Sequence, residues 1–156
     1  MSFWDLIKVG EAMHLGSHRF EADDIRRFAR QFDPQRFHLD AEAAKASVLG
    51  GLCASGWHTA AVFMRLNVDA TAAAVARFVE DGGTAPRLGP SPGVNELRWL
   101  RPVFDGDTVT FSQTVTAKRI SATRQGWGVL EFLATGANQD GAPVFSMKAA
   151  AFMGTD

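Results

Sequence analysis

Residues 55–66 read Ser-Gly-Trp-His-Thr-Ala-Ala-Val-Phe-Met-Arg-Leu, and they begin the most informative segment of the sequence. From Trp57 to Leu66, apolar side chains occupy nearly every side of the helix that this segment predicts. A surface helix carries only one apolar stripe, so a helix that is apolar nearly all round is expected to be buried. The alanine-rich residues 70–80 continue the helical pattern and extend the predicted helix.

Strands are predicted along most of the chain that follows this helix. Residues 82–93 are rich in glycine and proline and predict a loop. Beyond them, side chains alternate with the period of a half-buried strand. The alternation is clearest at Val109, Phe111, Gln113 and Val115, at Trp127, Val129, Glu131 and Leu133, and at Phe145, Met147, Ala149 and Ala151. The dipeptides Asp105-Gly106 and Asp140-Gly141 predict a turn and a hairpin, so the strands are expected to be antiparallel.

Three shorter elements are predicted before the buried helix. Residues 13–20 predict a strand, and residues 22–32 place apolar side chains at helical spacing. This helix is expected to end at Asp33, because the residue before Pro34 is disfavoured in the helical conformation. Asp40 is expected to cap a short helix that covers residues 41–46.

Together these elements predict an α+β fold, in which an antiparallel sheet wraps around the central buried helix. The length of 156 residues fits one domain, residues 1–156. A sheet of this kind has open edges that a second copy of the chain can cover. We therefore expect a homodimer or a higher oligomer.

The composition excludes several functional classes. Lys and Arg number 16 and Asp and Glu number 17, which gives a formal net charge of −1. A nucleic-acid-binding domain needs a concentrated basic surface, so no nucleic-acid partner is expected. The chain has one cysteine, Cys53, which excludes an internal disulfide and a cysteine-based metal site. It has no tyrosine, so no phenol of this chain can take part in a mechanism.

The sequence also predicts where the protein acts. Its first residues lack the basic region, apolar run and small-residue cleavage site of a signal peptide. The longest weakly charged stretch, Val48 to Met64, falls short of the roughly 18–20 apolar residues that span a membrane. We expect a cytoplasmic protein that does not bind membranes and whose Cys53 is a reduced thiol.

Asp33 and His38 are the first candidates for a catalytic role. They lie five residues apart across an irregular loop that leaves a helix, so their side chains can converge. A carboxylate beside an imidazole can hold a water molecule and pass its proton. The alternative is that Asp33 merely ends its helix and that His38 is a hydrogen-bonded, partly buried residue.

The turn that enters the buried helix is the second candidate. The backbone N–H groups at Ser55 and Gly56 have no partner within the helix, and the helix dipole favours negative charge beside them. A glycine here would let a carbonyl group approach closely. The alternative is that Ser55 is only an N-cap and Gly56 only a packing residue.

Other polar residues are assigned structural roles. His14 and His18 are four residues apart, but their segment predicts a strand, so no metal site is expected. Cys53 is expected to be a small buried residue, and His58 a core histidine with its hydrogen bonds satisfied.

Several of these features together resemble the MaoC-like hydratases, the (R)-specific enoyl-CoA hydratases and dehydratases of the hot-dog fold. The resemblance rests on the loop from Asp33 to His38, on Gly56 with its apolar helix, and on the Pro-Val-Phe-Asp-Gly-Asp turn at residues 102–107. The family motif is Asp, any residue, Asn, Pro, an aliphatic residue and His. The sequence keeps its Asp and His but has Gln35, Arg36 and Phe37 between them, and Met64 replaces a serine often found in the central helix.

The resemblance implies hydration of a trans-2-enoyl-CoA to an (R)-3-hydroxyacyl-CoA, or the reverse reaction. Asp33 and His38 would orient one water molecule, take its proton as it attacks C3 and supply a proton to C2. The N–H of Gly56 would bind the thioester oxygen, while Ser55, Phe37 and Met64 would contact the substrate. No metal or redox cofactor is implied, since coenzyme A is part of the acyl-CoA substrate.

Two other functions remain open. A hot-dog thioesterase would direct water at the carbonyl carbon, but it needs a carboxylate on or near the central helix, and residues 55–66 contain none. The altered residues 35–37 also leave open the function of a non-catalytic dimer that binds acyl-CoA.

Overall fold

A single antiparallel sheet and one long helix form most of the structure, a computed structural model that describes residues 1–156. The elements in chain order are α1 (Phe3–Leu6), β1 (Ala12–Arg19), α2 (Ala22–Phe32), α3 (Arg36–Leu39), α4 (Ala41–Lys45), α5 (Gly56–Glu80), β2 (Gly93–Trp99), β3 (Thr108–Ile120), β4 (Trp127–Ala137) and β5 (Pro143–Gly154). The strand order is β1-β3-β4-β5-β2, and every neighbouring pair is antiparallel. The predicted α+β class is confirmed.

The core lies between α5 and one face of the sheet. The ring of Phe63 on α5 packs 6.1 Å from Phe111 of β3 and 5.4 Å from Phe145 of β5, measured between ring centroids. All three side chains are fully buried. The sequence prediction of one continuous helix is confirmed, since α5 runs for 25 residues without a break.

Burial of α5 is less complete than the sequence predicts. Only His58, Thr59 and Phe63 are buried along the helix, whereas Trp57 is 57% exposed and Val68 is 54% exposed. The reason is that the sheet covers only part of the surface of α5, and nothing in the single chain covers the rest. The apolar pattern therefore marks a surface that is open in one copy of the chain.

The strands show the predicted alternation, with one correction. In β3, Val109 and Phe111 face the core as expected. In β4 the face turned toward the core carries Ala134, which pairs with Gln113, rather than the predicted series at Val129 and Leu133. Apolar residues occur on both faces of β4, so its period could be read from the sequence but its inward face could not.

The N-terminal segment is fastened to the far end of the sheet. Lys118 donates from Nζ to the carbonyl oxygens of Trp4 at 2.6 Å and Ile7 at 3.1 Å. The buried Trp4 indole fills the space above Gly128, where any side chain would overlap it. None of the helices combines the length and the apolar character that crossing a membrane requires.

Candidate active site

Asp33 and His38 converge as predicted. Asp33 follows the last residue of α2, and the short helix α3 carries His38 back toward it. The Nε2 atom of His38 lies 3.4 Å from Oδ2 of Asp33, and both side chains are largely buried. The loop thus brings an acid and an imidazole together away from bulk water.

The hydrogen bond at the other ring nitrogen determines the tautomer of His38. Nδ1 lies 2.7 Å from the carbonyl oxygen of Cys53. A carbonyl oxygen can only accept a hydrogen bond, so Nδ1 carries the proton of the neutral ring. In this neutral form, Nε2 presents a lone pair toward Asp33. Two hydrogen-bond acceptors face each other at this point, and a water molecule can donate one O–H to each.

The carboxylate of Asp33 is held by two side chains. Ser55 donates from Oγ to Oδ2 at 2.7 Å, and Gln35 donates from Nε2 to Oδ1 at 2.8 Å. Burial raises the pKa of Asp33, but these hydrogen bonds and the nearby His38 outweigh it and hold the pKa below its usual value. Asp33 is therefore ionised at neutral pH.

Ser55 also begins α5. Its Oγ accepts a hydrogen bond from the N–H of Trp57 at 3.3 Å, which makes it the N-cap of the helix. The same hydroxyl group donates its hydrogen bond to Asp33. Ser55 thereby joins the acid to the start of α5, a connection between residues distant in the sequence that the sequence analysis missed.

Gly56, the first residue of α5, borders a small cavity that His38 also lines. Its N–H makes no hydrogen bond within the chain. The cavity has a volume of about 230 Å³ and is lined by His38, Gly56, Thr59 and Trp99, among others. The indole of Trp99 covers Gly56 so closely that any side chain at position 56 would overlap it. Sequence reasoning did not place Thr59 and Trp99 here, because no local pattern joins them to Gly56.

Phe37 and Met64 do not line the small cavity. Phe37 packs edge-on against the His38 ring, with centroids 4.6 Å apart, and joins the core without lining the small cavity. Met64 lines a separate, larger cavity between α5 and the sheet, which contains neither His38 nor Gly56. Met64 lies two turns along α5 from Gly56, so its side chain cannot reach the small cavity. Their contact with the substrate stays a prediction.

Comparison with known proteins identifies the family. The family model described as MaoC like domain matches residues 8–127, which is more than half of the chain. The chain belongs to the MaoC-like dehydratase family. Membership supports a hydratase or dehydratase activity, and the sheet with its long central helix is the hot-dog fold that the sequence resemblance implied.

Similar proteins cover nearly the whole of this MaoC-like chain. The crystal structure of a MaoC-like dehydratase from Rhodospirillum rubrum is 36% identical, covers 99% of this chain and 97% of its own, and has a TM-score of 0.80. An (R)-hydratase from A. caviae involved in PHA biosynthesis is 24% identical, covers 94% and 96% of the two chains, and has a TM-score of 0.66. The uncharacterized protein YdeM of Bacillus subtilis (strain 168) is 28% identical over 90% of this chain and 91% of its own.

Two other assignments in this MaoC-like domain are confirmed. Asp40 caps α4, accepting hydrogen bonds from the N–H groups of Glu42 at 2.9 Å and Ala43 at 3.0 Å. Cys53 is buried, and burial raises the pKa of its thiol to about 11. The thiol is therefore protonated at neutral pH and is a poor nucleophile.

His58 is buried, but one of its nitrogens is not satisfied. Its ring stacks on Phe28 of α2 at 4.7 Å and meets the edge of Phe20 at 5.1 Å. Nδ1 has no hydrogen-bond partner, so the expectation of a fully satisfied core histidine is wrong. Burial, then the charges of His18 and Arg27, lower the pKa of His58 to about 4, while Asp24 acts in the opposite direction.

This shift predicts that acid destabilises the fold through His58. The ordinary pKa of 6.5 applies to the unfolded chain, which therefore binds more protons than the folded chain between pH 6.5 and about 4. The stability is fully present above pH 6.5 and is lost as the pH falls. Between pH 7 and pH 5 we expect a loss of about 2 kcal/mol, measured by urea unfolding.

The variant His58→Leu should remove most of this loss, because leucine does not titrate. His14→Gln is the matched control, since His14 is exposed on β1 and should leave the loss in place. An equal loss of stability in His58→Leu and in the wild type would contradict the assignment.

Proposed function

We propose that this protein hydrates a trans-2-enoyl-CoA to an (R)-3-hydroxyacyl-CoA and catalyses the reverse dehydration. The observation that carries the proposal is the pair of Asp33 Oδ2 and His38 Nε2, which lie 3.4 Å apart, with His38 and Gly56 lining one cavity. Membership of the MaoC-like dehydratase family supports the reaction class.

In this mechanism the pair works on a single water molecule. Asp33 and Nε2 of His38 each accept one hydrogen bond from the water and orient its oxygen toward C3. As the oxygen attacks C3, the pair takes one proton from the water, and it then delivers a proton to C2. The hydroxyl remains on C3, so both parts of the water molecule are added to the double bond. General acid–base catalysis of this kind contributes about 10²–10⁴ in rate.

Gly56 would stabilise the charge that forms on the thioester oxygen. Attack at C3 moves electrons toward that oxygen and gives it enolate character. The N–H of Gly56 has no other partner and lies at the positive end of α5. An oxyanion donor of this kind typically lowers a barrier by about 2.7–4 kcal/mol.

The proposal needs no metal or redox cofactor, because both protons and the oxygen come from water and coenzyme A belongs to the substrate.

We also propose that the protein forms a homodimer. The outer edge of β2 pairs with no strand, and Trp57 and Val68 on α5 are exposed. A second copy could cover these apolar side chains.

Incubation with crotonyl-CoA tests this function. We expect loss of the conjugated enoyl absorbance without release of free thiol. Release of thiol with the enoyl group intact would instead indicate thioester cleavage. Binding without either change would indicate an acyl-CoA-binding module.

Thioester cleavage is the second candidate, for a structural reason. No carboxylate lies within residues 55–66, but Ser55 holds the carboxylate of Asp33 at the start of α5. A water molecule on Asp33 is therefore near the helix that would bind the thioester oxygen. The assay for free thiol separates this reaction from hydration.

A further inference from the structure

A buried hydroxyl group lies one helical turn after Gly56. Thr59 is only 2% exposed, and it lines the same cavity as Gly56 and His38. Side chains three residues apart on a helix are neighbours, and each leans toward the N-terminus of its helix. The side chain of Thr59 therefore leans back toward the turn of α5 that begins with Gly56.

The hydroxyl of Thr59 has no hydrogen-bond partner in the chain. A threonine inside a helix can donate to the carbonyl oxygen four residues back, which for Thr59 is that of Ser55. That oxygen instead accepts the backbone N–H groups of His58 at 2.9 Å and of Thr59 itself at 3.1 Å. The hydroxyl of Ser55 is also engaged, since it bonds to Asp33 and to the N–H of Trp57. The Thr59 hydroxyl is left free to bond to something else.

This free hydroxyl is open to the cavity. Three side-chain atoms of the protein are sealed from solvent without a partner, namely His18 Nε2, His58 Nδ1 and Asn67 Oδ1. Thr59 Oγ1 is not one of them, although the residue as a whole is buried. A molecule in the cavity can therefore reach it. A buried hydroxyl without a partner costs stability, and an occupant that bonds to it would remove that cost.

The proposed substrate has one acceptor that this hydroxyl can use. In the proposed reaction the water molecule donates both of its O–H groups to Asp33 and His38, and its oxygen must keep an electron pair free to attack C3. A donor bonded to that oxygen would weaken the attack. The thioester oxygen has two lone pairs, and the N–H of Gly56 takes only one of them. The other lone pair can accept the hydroxyl of Thr59.

We propose that Thr59 is a further catalytic residue, whose hydroxyl is the second hydrogen-bond donor to the thioester oxygen beside the N–H of Gly56. The inference rests on the proposed function for its substrate, an acyl thioester, and applies equally to hydration and to thioester cleavage. Both hydrogen bonds strengthen as negative charge develops on the oxygen, so they stabilise the transition state more than the bound substrate. The hydroxyl keeps its proton throughout.

Thr59→Val tests this role, because valine keeps the shape of threonine and replaces the hydroxyl with a methyl group. We expect kcat for crotonyl-CoA hydration to fall about 10²–10³-fold with little change in KM, which is the effect of losing one oxyanion donor. Thr59→Ser keeps the hydroxyl and is the matched control, so it should retain most of the wild-type kcat. Equal kcat values in the valine and serine variants would overturn the proposal.

Thermal unfolding separates a catalytic role of Thr59 from a structural one. Its hydroxyl makes no hydrogen bond within the fold, so Thr59→Val should unfold at the wild-type temperature or above it. A hydroxyl that stabilised the fold would give the opposite result, with a lower unfolding temperature in the valine variant. That result would assign the loss of activity to the loss of structure and would overturn the proposal.

The infrared band of a bound thioester tests the hydrogen bond without turnover. A hydrogen bond to a carbonyl oxygen weakens the C=O bond and lowers its stretching frequency. The probe is butyryl-CoA labelled with carbon-13 at the thioester carbonyl, which has no double bond to hydrate. We expect its band to lie at a higher frequency in Thr59→Val than in the wild type and in Thr59→Ser.

This measurement also distinguishes the donor role from the reaction. A band that is the same in all three proteins would overturn the proposal even where kcat falls, because the hydroxyl would then act on another group. A shifted band in a protein that hydrates nothing would refute the hydratase but support Thr59 as a donor to the thioester oxygen. A wild-type protein that does not bind butyryl-CoA would refute both.

Discussion

Replacement of Asp33 by asparagine should lower kcat for enoyl-CoA hydration by about 10²–10⁴-fold while the protein stays folded. Asparagine has nearly the same shape, and its amide oxygen can still accept the hydrogen bond from Ser55. Its NH₂ group would then take the place of Oδ1, next to the amide of Gln35. The neutral amide oxygen left beside Nε2 of His38 is far too weak a base to take a proton from the water. The variant therefore removes the carboxylate base without creating a cavity.

His38→Gln should have an effect of similar size, because it removes Nε2 from the same water molecule. Two groups that act as a unit on one water give non-additive losses. We therefore expect the double variant to be no slower than about the slower single variant. Losses that multiply would indicate two independent roles and would contradict the shared water molecule.

Asp40→Asn is the matched control for both variants. Asp40 lies two residues after His38, but its carboxylate caps α4 and makes no contact with the pair. Asparagine caps helices about as well as aspartate, so stability and kcat should both stay near wild type. Hydration rates followed by enoyl absorbance, with thermal unfolding of each variant, check the comparison. Full activity in a folded Asp33→Asn protein would rule out the proposed role.

The part of the site that the sequence predicted is the part set by local geometry. Asp33 and His38 are separated by a short loop between two helices, so few backbone paths connect them and their convergence could be expected. The hydrogen bond from Ser55 to Asp33 joins α5 to the end of α2. No spacing in the sequence encodes it, because it depends on how the two helices pack.

The same distinction applies to the fold. The continuous helix and the antiparallel strands follow from periodicity, which is a local property. The exposure of Trp57 depends on which surfaces the sheet covers, and the position of Trp99 over Gly56 depends on where the edge strand β2 ends. These are tertiary contacts between distant residues, so the periodic pattern could not predict them.

Removal of the N–H at position 56 should lower kcat by about 10²–10³-fold, which corresponds to about 2.7–4 kcal/mol of barrier. A direct substitution of Gly56 is not a clean test, because any side chain there overlaps Trp99. The variants Gly56→Ala and Gly56→Pro, each made in the Trp99→Ala background, avoid this overlap. Alanine keeps the backbone N–H and proline lacks it, while both add a Cβ.

Position 56, at the start of α5, can accept proline as well as alanine. Proline is favoured at the first position of a helix, and the N–H at position 56 makes no hydrogen bond that the fold would lose. Ser55 already has the extended backbone, with ψ of 140°, that a following proline requires. We therefore expect the two variants to unfold at similar temperatures and to differ in kcat for crotonyl-CoA rather than in KM. Equal kcat values in the alanine and proline proteins would show that this amide does not stabilise the thioester oxygen, because the N–H is the main group by which they differ at that point.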